Sequence, residues 1–307
     1  MLRRRAIAGR PAKGIRESRG DQVFNIINSA VLLLLLAAVL YPLIFVVSAS
    51  VSNGDALLSG RVRFLPVGFS LFAYQRVFNY PGLWTAYANT IYYTVVGTAV
   101  NVAMTLLAAY PLSRRDLPGK GLILGLFVFT MFFSGGLIPT YLLVRDLKML
   151  DTRWALIIPS ALSAWLLMIT VTYFRISIPA EMLEASQLDG CSDIQYMMHI
   201  LLPLSTPVIA VLSLFYAVGH WNEFFAALIY LNNKDLFPLQ IILRNILVQS
   251  QVDLKMTSDL ASLAQRQALA ELLRYALIVV ATAPVLAIYP FAQKYFVRGA
   301  MLGAVKG

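Results

Sequence analysis

"EASQLDGCSDIQYMMHILLP", residues 184–203, sets three carboxylates, a glycine, a histidine and a Leu-Pro ending between two strongly apolar stretches. The surrounding segment 175–203 is too polar to sit in hydrocarbon and too long for a tight turn, so it reads as two short helices. Pro179 suits the first helical position, where its missing N–H costs nothing. Asp189-Gly190 ends that helix, glycine being the usual residue of a left-handed C-terminal cap. Ser192 with Gln195 three positions on has capping-box spacing and opens the second helix. Ile194, Met197, Met198 and Leu201 then fall at i, i+3, i+4 and i+7, which predicts one apolar stripe. Pro203 separates this helix from the next apolar run. The expectation is an amphipathic elbow suited to a groove on another protein. Glu181, Glu184, Asp189 and Asp193, with only Arg175 as a cation, fit an anionic lipid surface poorly.

The flanking sequence decides where the elbow lies. The chain of 307 residues is 59% hydrophobic and 13% charged, with a mean hydropathy of +0.72, too little polar surface for a soluble globule. A span needs roughly 20 mainly apolar residues. Six such runs occur, at 24–48, 86–110, 121–144, 154–174, 204–230 and 272–293. An even number places both termini on one side, and the fold class is all-α integral membrane. Seven basic residues precede the first run: Arg3, Arg4, Arg5, Arg10, Lys13, Arg16 and Arg19. That run exceeds the roughly 7–15 residues of a signal-peptide core, so it reads as an uncleaved span. The basic leader, with Arg114, Arg115 and Lys120 after the second run, puts both termini in the cytoplasm. The outward segments are then 49–85, a turn near 145–153, and 231–271; the inward ones are 111–120 and 175–203.

The net charge of +10 is concentrated in the leader and inward loops, where anionic lipid headgroups rather than nucleic acid are the expected partner. Cys191 stands alone, so no intrachain disulfide can form. Neither His199 nor His220 has neighbours with metal-ligand spacing, and no metal site is expected. Pro42, "FFSGGLIPT" at 132–140, Pro207, Pro284 and Pro290 interrupt the runs, as expected of a bundle bending around a pathway. No G-x-x-x-x-G-K-[ST] phosphate loop occurs. The chain therefore has no Walker-type ATP site, and energy must come from a partner or an ion gradient.

The order Glu184-Ala185-Ser186, then Gly190, then Ile200, Leu202 and Pro203, resembles the EAA motif of permease subunits of ABC importers. Ser186 replaces the usual second alanine, small for small. "NTIYYTVVGTAVNVAMTLLAAYPLSRRDLPGK" at 89–120, "WNEFFAALIYL" at 221–231 and "GAVKG" at 303–307 look like the carbohydrate branch, the maltose-type permeases. "FTMFFSGGLIPTYLLVRDLKMLDTRWALIIP" at 129–159 looks like permeases for polysaccharide fragments such as aldouronates or alginate oligomers. The resemblance covers residues 25–307. It implies a six-helix ABC importer permease fold: a basic N-terminal segment 1–23, a permease domain 24–297 with coupling helices at 179–203, and a cytoplasmic tail 298–307.

By the same resemblance, the chain is a non-catalytic subunit of a bacterial cytoplasmic (inner) membrane importer for oligo- or polysaccharide. Its expected partners are a second homologous permease, two cytoplasmic ATPase subunits that bind the ATP and Mg, and an extracytoplasmic solute-binding protein. Glu184, Ala185, Ser186, Asp189, Gly190, Ile200, Leu202 and Pro203 would form the ATPase-coupling joint. Lys306 and Gly307 would make a second contact if the tail inserts between the ATPase subunits, as in some members. For the substrate pathway, Glu223 stands out because an ionisable residue within a span is costly. Trp221 and Asn222 beside it offer an aromatic face and hydrogen bonds to a sugar. Asn89 and Tyr93 are weaker pathway candidates. The alternatives are a permease for a non-sugar solute, an ion-coupled secondary transporter or a membrane-embedded enzyme. The last two call for internal repeats or clustered ionisable groups in the spans.

Overall fold

The computed structural model describes residues 18–255 and 260–304, and every regular element among them is helical. Of the leader, Arg3, Arg4, Arg5, Arg10, Lys13 and Arg16 lie outside the described residues, as do Lys306 and Gly307 of the tail.

Helix α1 (Arg19–Ser50) opens on a capping box between Ser18 and Asp21. Its 32 residues run about 48 Å, well beyond the roughly 30 Å of a hydrocarbon core. The helix continues through Pro42 and stays exposed as far as Ile44; Phe45 and Val46 are half-buried, and Ser48, Ala49 and Ser50 are buried at its end. The segment expected as an outward loop over 49–85 contains two short helices, α2 (Gly54–Leu58) and α3 (Phe72–Phe78). Helix α4 (Leu83–Ser113) is the second long crossing.

The third apolar run is not one helix. Thirteen residues form α5 (Lys120–Phe132), about 20 Å and too short to cross alone. The chain then bends by 113° into α6 (Leu137–Asp146). Gly136 at φ 85 sits at the break, in backbone that a side chain would strain. The fourth run is also shorter than expected. Residues 153–156 form a 3₁₀ turn, and the helix proper is α7 (Ala164–Ser177), bent by 74° from α8 (Ala180–Leu188).

A short helix α9 (Asp193–Tyr196) passes through a π turn at Met197–Leu201 into α10 (Leu202–Leu204). An 81° bend at Ser205 leads into α11 (Thr206–Trp221). The separation expected at Pro203 therefore falls two residues later. Pro207 sits in the first turn of α11, where its missing N–H is harmless, rather than breaking a span. The fifth run stops at Trp221, and α12 (Phe225–Tyr230) comes after a three-residue break. A 3₁₀ turn at Lys234–Leu236, α13 (Leu239–Lys255) and α14 (Leu260–Ala304) complete the described chain. Helix α14 runs through both Pro284 and Pro290. Of the predicted interruptions, only the Ser-Gly-Gly stretch breaks an apolar run in its interior. Among the described residues three helices are long and apolar enough to cross a membrane, and counting each of the three bent pairs as one span brings the number to six.

Packing centres on α4, between α7 and α11. Asn89, Tyr93, Gly97, Asn101, Thr105 and Ala109 are all buried and recur every four residues. Val208, Leu212, Tyr216 and His220 make the matching ridge on α11. Ridges of i±4 residues interdigitate as one ridge fills the other's groove, the commonest helix-packing class. The Thr105 and Tyr216 hydroxyls meet at 2.7 Å, and the His220 ring packs directly against Gly97.

Candidate functional site

The elbow is built from local rules. Pro179 is the N-cap of α8 rather than its first helical residue as expected, so the helix begins one position later at Ala180. The other end closes as a Schellman turn: the Cys191 amide donates to the Ser186 carbonyl at 2.9 Å and the Gly190 amide to Gln187 at 3.1 Å. Gly190 takes φ 80, and a Cβ there would meet nothing within 4 Å. The capping box predicted at Ser192 is present, with Ser192 Oγ accepting from the Gln195 amide and Gln195 Oε1 from the Ser192 amide.

The predicted apolar stripe divides in two. Leu201 is 3% exposed and packs with Tyr196, whereas Ile194 is 72% exposed and Met198 54%. The π turn is the cause, because it adds a residue to the turn and rotates the residues after it. One half of the elbow is thereby fused to the transmembrane core through Tyr196, Leu201, Ile200 and Leu202. The other half faces away, with Leu188 89% exposed beside Glu184, Ala185, Asp189 and Gly190. Ser186 is buried, its hydroxyl donating to the Leu183 carbonyl at 2.7 Å, so only a small side chain fits. Pro203 is exposed at the bend.

Arg114, at the end of α4, latches the elbow to the preceding inward loop. Its guanidinium pairs with Asp193 and, at 2.6 Å, with Asp116. Hydrogen bonding from Arg114 pulls the Asp116 carboxyl down to about 2, so it stays ionised at neutral pH. Arg175, the one cation of the segment, donates to the Leu112 carbonyl at 2.7 Å. Among the described residues no ion pair involves Glu181, Glu184 or Asp189. A cavity of about 730 Å³ lies between this loop and α8, bordered by Arg114, Arg115, Lys120 and Arg175 on one side and Glu181 and Glu184 on the other.

The residues singled out for the pathway do not converge. Asn89 is buried, and its amide nitrogen donates to the Asp235 carbonyl at 2.6 Å and Phe237 at 3.2 Å. Its side-chain oxygen accepts from Arg153, whose guanidinium stacks on Tyr92. The buried Tyr93 donates to the Leu236 carbonyl at 2.8 Å. Both pin the 3₁₀ turn to α4. Trp221 is buried and donates to the Ala281 carbonyl at 3.0 Å, joining α11 to α14. Asn222 is exposed and folds back to the Val218 carbonyl. Glu223 is half-buried beyond the end of α11, where its carboxylate accepts from the Ala226 amide at 3.0 Å and caps α12. Its place in the helix break, rather than within a span, removes much of the cost that made it conspicuous. On the same side of the fold, Asp151 accepts from the Asn233 and Asn232 amides, which hold its carboxyl below the usual range.

Two cavities were not anticipated. One of about 840 Å³ runs between α4 and α11 past Thr94, Thr98, Ala210, Ser213 and Ala217. The Thr94 and Thr98 hydroxyls are buried without a partner among the described residues. The signal was there to read: small or hydroxylated residues spaced by three and four on two spans mark faces that admit close approach. The second cavity, about 420 Å³, opens beside α5 and is lined by Thr130, Ser163 and Trp165, with Trp165 edge-on to Phe215 at 5.3 Å.

The chain matches no protein-family model. It is 41% identical over 288 residues to the polygalacturonan/rhamnogalacturonan transport system permease protein YtcP of Bacillus subtilis, covering 94% of this chain and 99% of that one. It is 40% identical over 293 residues to protein LplC of Bacillus subtilis, covering 95% and 98%. Among solved structures it superposes, with a TM-score of 0.79 and 36% identity over 91% of this chain and 99% of the other, on a chain from the crystal structure of a bacterial ABC transporter involved in the import of the acidic polysaccharide alginate.

Proposed function

The chain belongs to the permease subunits of ABC sugar importers, and from that premise we propose that it carries oligomers of an acidic polysaccharide across the bacterial cytoplasmic membrane. It is a multi-pass transport subunit and not an enzyme; ATP is hydrolysed on partner subunits. In the proposed assembly it pairs with a second, homologous permease over two cytoplasmic ATPase subunits, with a solute-binding protein delivering the sugar from outside. Both termini then lie in the cytoplasm.

The observation that carries this reading is the divided elbow. Leu188, Ile194 and the Glu184–Gly190 turn present apolar and acidic contacts to a partner, while Tyr196 and Leu201 pack into the same core as α4, α7 and α11. A partner that moves the outer half therefore moves the spans. Closure of the ATPase pair around nucleotide would shift the bundle between two states by such differential contacts. The acidic cargo is supported by the cargo named for two of the relatives and by the turning of Glu223 into a helix cap.

The test is reconstitution of the full assembly in proteoliposomes with its solute-binding protein. Trigalacturonate is expected to stimulate ATP hydrolysis and to accumulate inside when ATP is supplied. Stimulation by neutral maltotriose and not by trigalacturonate would overturn the acidic cargo, and no response to any saccharide would overturn sugar import.

A further inference from the structure

A second polar recess lies at the end of the bundle where α4 begins and α11 ends. It is a cleft of about 680 Å³ between α3, α13 and the first turns of α14, within the size range of small-molecule sites. Its floor is apolar, formed by Ile246 and Leu273 of the buried core. Its walls are polar: Gln75, Arg76 and Asn79 come from α3 and its end, Gln249 from α13 and Arg266 from α14. No carboxylate lines it among the described residues.

The register of α3 makes this a built surface. Ala73 and Val77, four apart, are 2% and 0% exposed and fix the rotation of the helix. Gln75, Arg76 and Asn79 are thereby turned into the cleft. The Arg76 guanidinium stands 5.7 Å from the centre of the Phe72 ring, which restrains it over an aromatic face that also borders the cleft. A plain solvated crevice between helices accounts for scattered polar side chains. It does not account for a cationic recess with amides on two helices, aromatic surface and an apolar floor.

This combination has a definite chemistry. A planar guanidinium matches a carboxylate in a two-point contact, side-chain amides bond hydroxyls, and aromatic faces pack against the C–H face of a sugar ring. We propose that the cleft between α3, α13 and α14 binds a uronate unit of an acidic oligosaccharide, with Arg76 contacting its carboxylate. The inference rests on the sugar-import reading and adds a specific subsite to it. A carboxylate on a docking protein has the same charge, but a recess of this size suits a sugar unit better than a flat protein surface does.

The test is equilibrium binding of labelled trigalacturonate and of neutral galactotriose to the purified permease–ATPase assembly in nanodiscs, without nucleotide or solute-binding protein. Trigalacturonate is expected to bind more tightly than galactotriose and to weaken as salt is raised. Arg76→Gln is expected to weaken trigalacturonate about tenfold and leave galactotriose unchanged, with Arg76→Lys between the two. Gln249→Leu should weaken both sugars, by about threefold. Arg63→Gln, an exposed arginine outside the cleft, should change neither. Equal losses for both sugars with Arg76→Gln, or no loss, would overturn the assignment. In a separate pull-down of the solute-binding protein by the same variants, weakened capture alongside unchanged saccharide binding would overturn it in favour of a protein contact. Because nothing is transported in this measurement, its failure is distinct from failure of trigalacturonate uptake in proteoliposomes.

Discussion

Gly190→Trp is expected to leave the permease in the membrane and to reduce copurification of the ATPase subunits at least about tenfold, or about 1.4 kcal/mol. Gly190 takes φ 80 at the close of α8, and a Cβ built on it meets nothing within 4 Å. Among the described residues nothing stands against a Cβ there, which leaves the backbone, for which a left-handed non-glycine costs roughly 1–2 kcal/mol. That strain is local to a turn already closed by two hydrogen bonds, so the bundle should persist. A docked partner, in contrast, meets the whole indole. Gly190→Ala separates the two effects, since it carries the backbone strain with almost none of the bulk and should lose less association. Glu184→Lys supplies an independent variant at an exposed carboxylate with no ion pair among the described residues, so its effect also has to come from the partner. Normal ATPase capture in both Gly190→Trp and Glu184→Lys would remove the elbow from the coupling joint.

Gly97→Ala should destabilise the bundle by about 1–3 kcal/mol, the usual cost of overpacking. In an ordinary helix interior the same change stabilises by about 0.8–1 kcal/mol, so the expected sign is reversed. The reason is contact: a Cβ at Gly97 would clash with His220 Nε2 and lie under 3 Å from two more atoms of that ring. His220 is 6% exposed, so the added methyl group would meet a buried ring at the α4–α11 contact. Thermal unfolding of the detergent-solubilised protein measures the loss. The double variant Gly97→Ala with His220→Ala should recover part of it, because the methyl group then occupies space that the ring has left, and the two losses should sum to more than the double variant shows. Additive losses would mean that the ring and the glycine do not limit the approach of the helices.

Much of the elbow was legible because it obeys short-range rules. Glycine ends a helix for reasons contained in a few residues, and Ser192 with Gln195 forms its box wherever it occurs. The stripe through Ile194 and Met198 failed because it assumed a uniform α-helical turn, and the π turn at 197–201 breaks that period. Apolar runs likewise gave the number of crossings and not their shape. Hydropathy averages over Ser134-Gly135-Gly136, while the 113° bend falls at the break that contains them. The bonding of the pathway candidates was hidden in the sequence for a different reason. Asn89, Tyr93 and Trp221 have hydrogen-bonding atoms that a sugar would use, but backbone carbonyls distant in sequence already occupy them. Glu223 looked costly inside a span only because the end of α11 at Trp221 was not visible in an uninterrupted apolar run. The four-residue ridges on α4 and α11 were present in the sequence, with small and polar residues marking the most closely packed face.

Cys191, the chain's one cysteine, sits partly exposed beside Gly190 and gives the most direct test of the elbow as the joint between permease and ATPase. A short thiol-reactive photocrosslinker placed on it in the assembled transporter is predicted to join the permease to an ATPase subunit, with the yield changing between nucleotide-free and ATP-bound states. An intact assembly in which Cys191 crosslinks only to lipid or to the second permease would contradict the account.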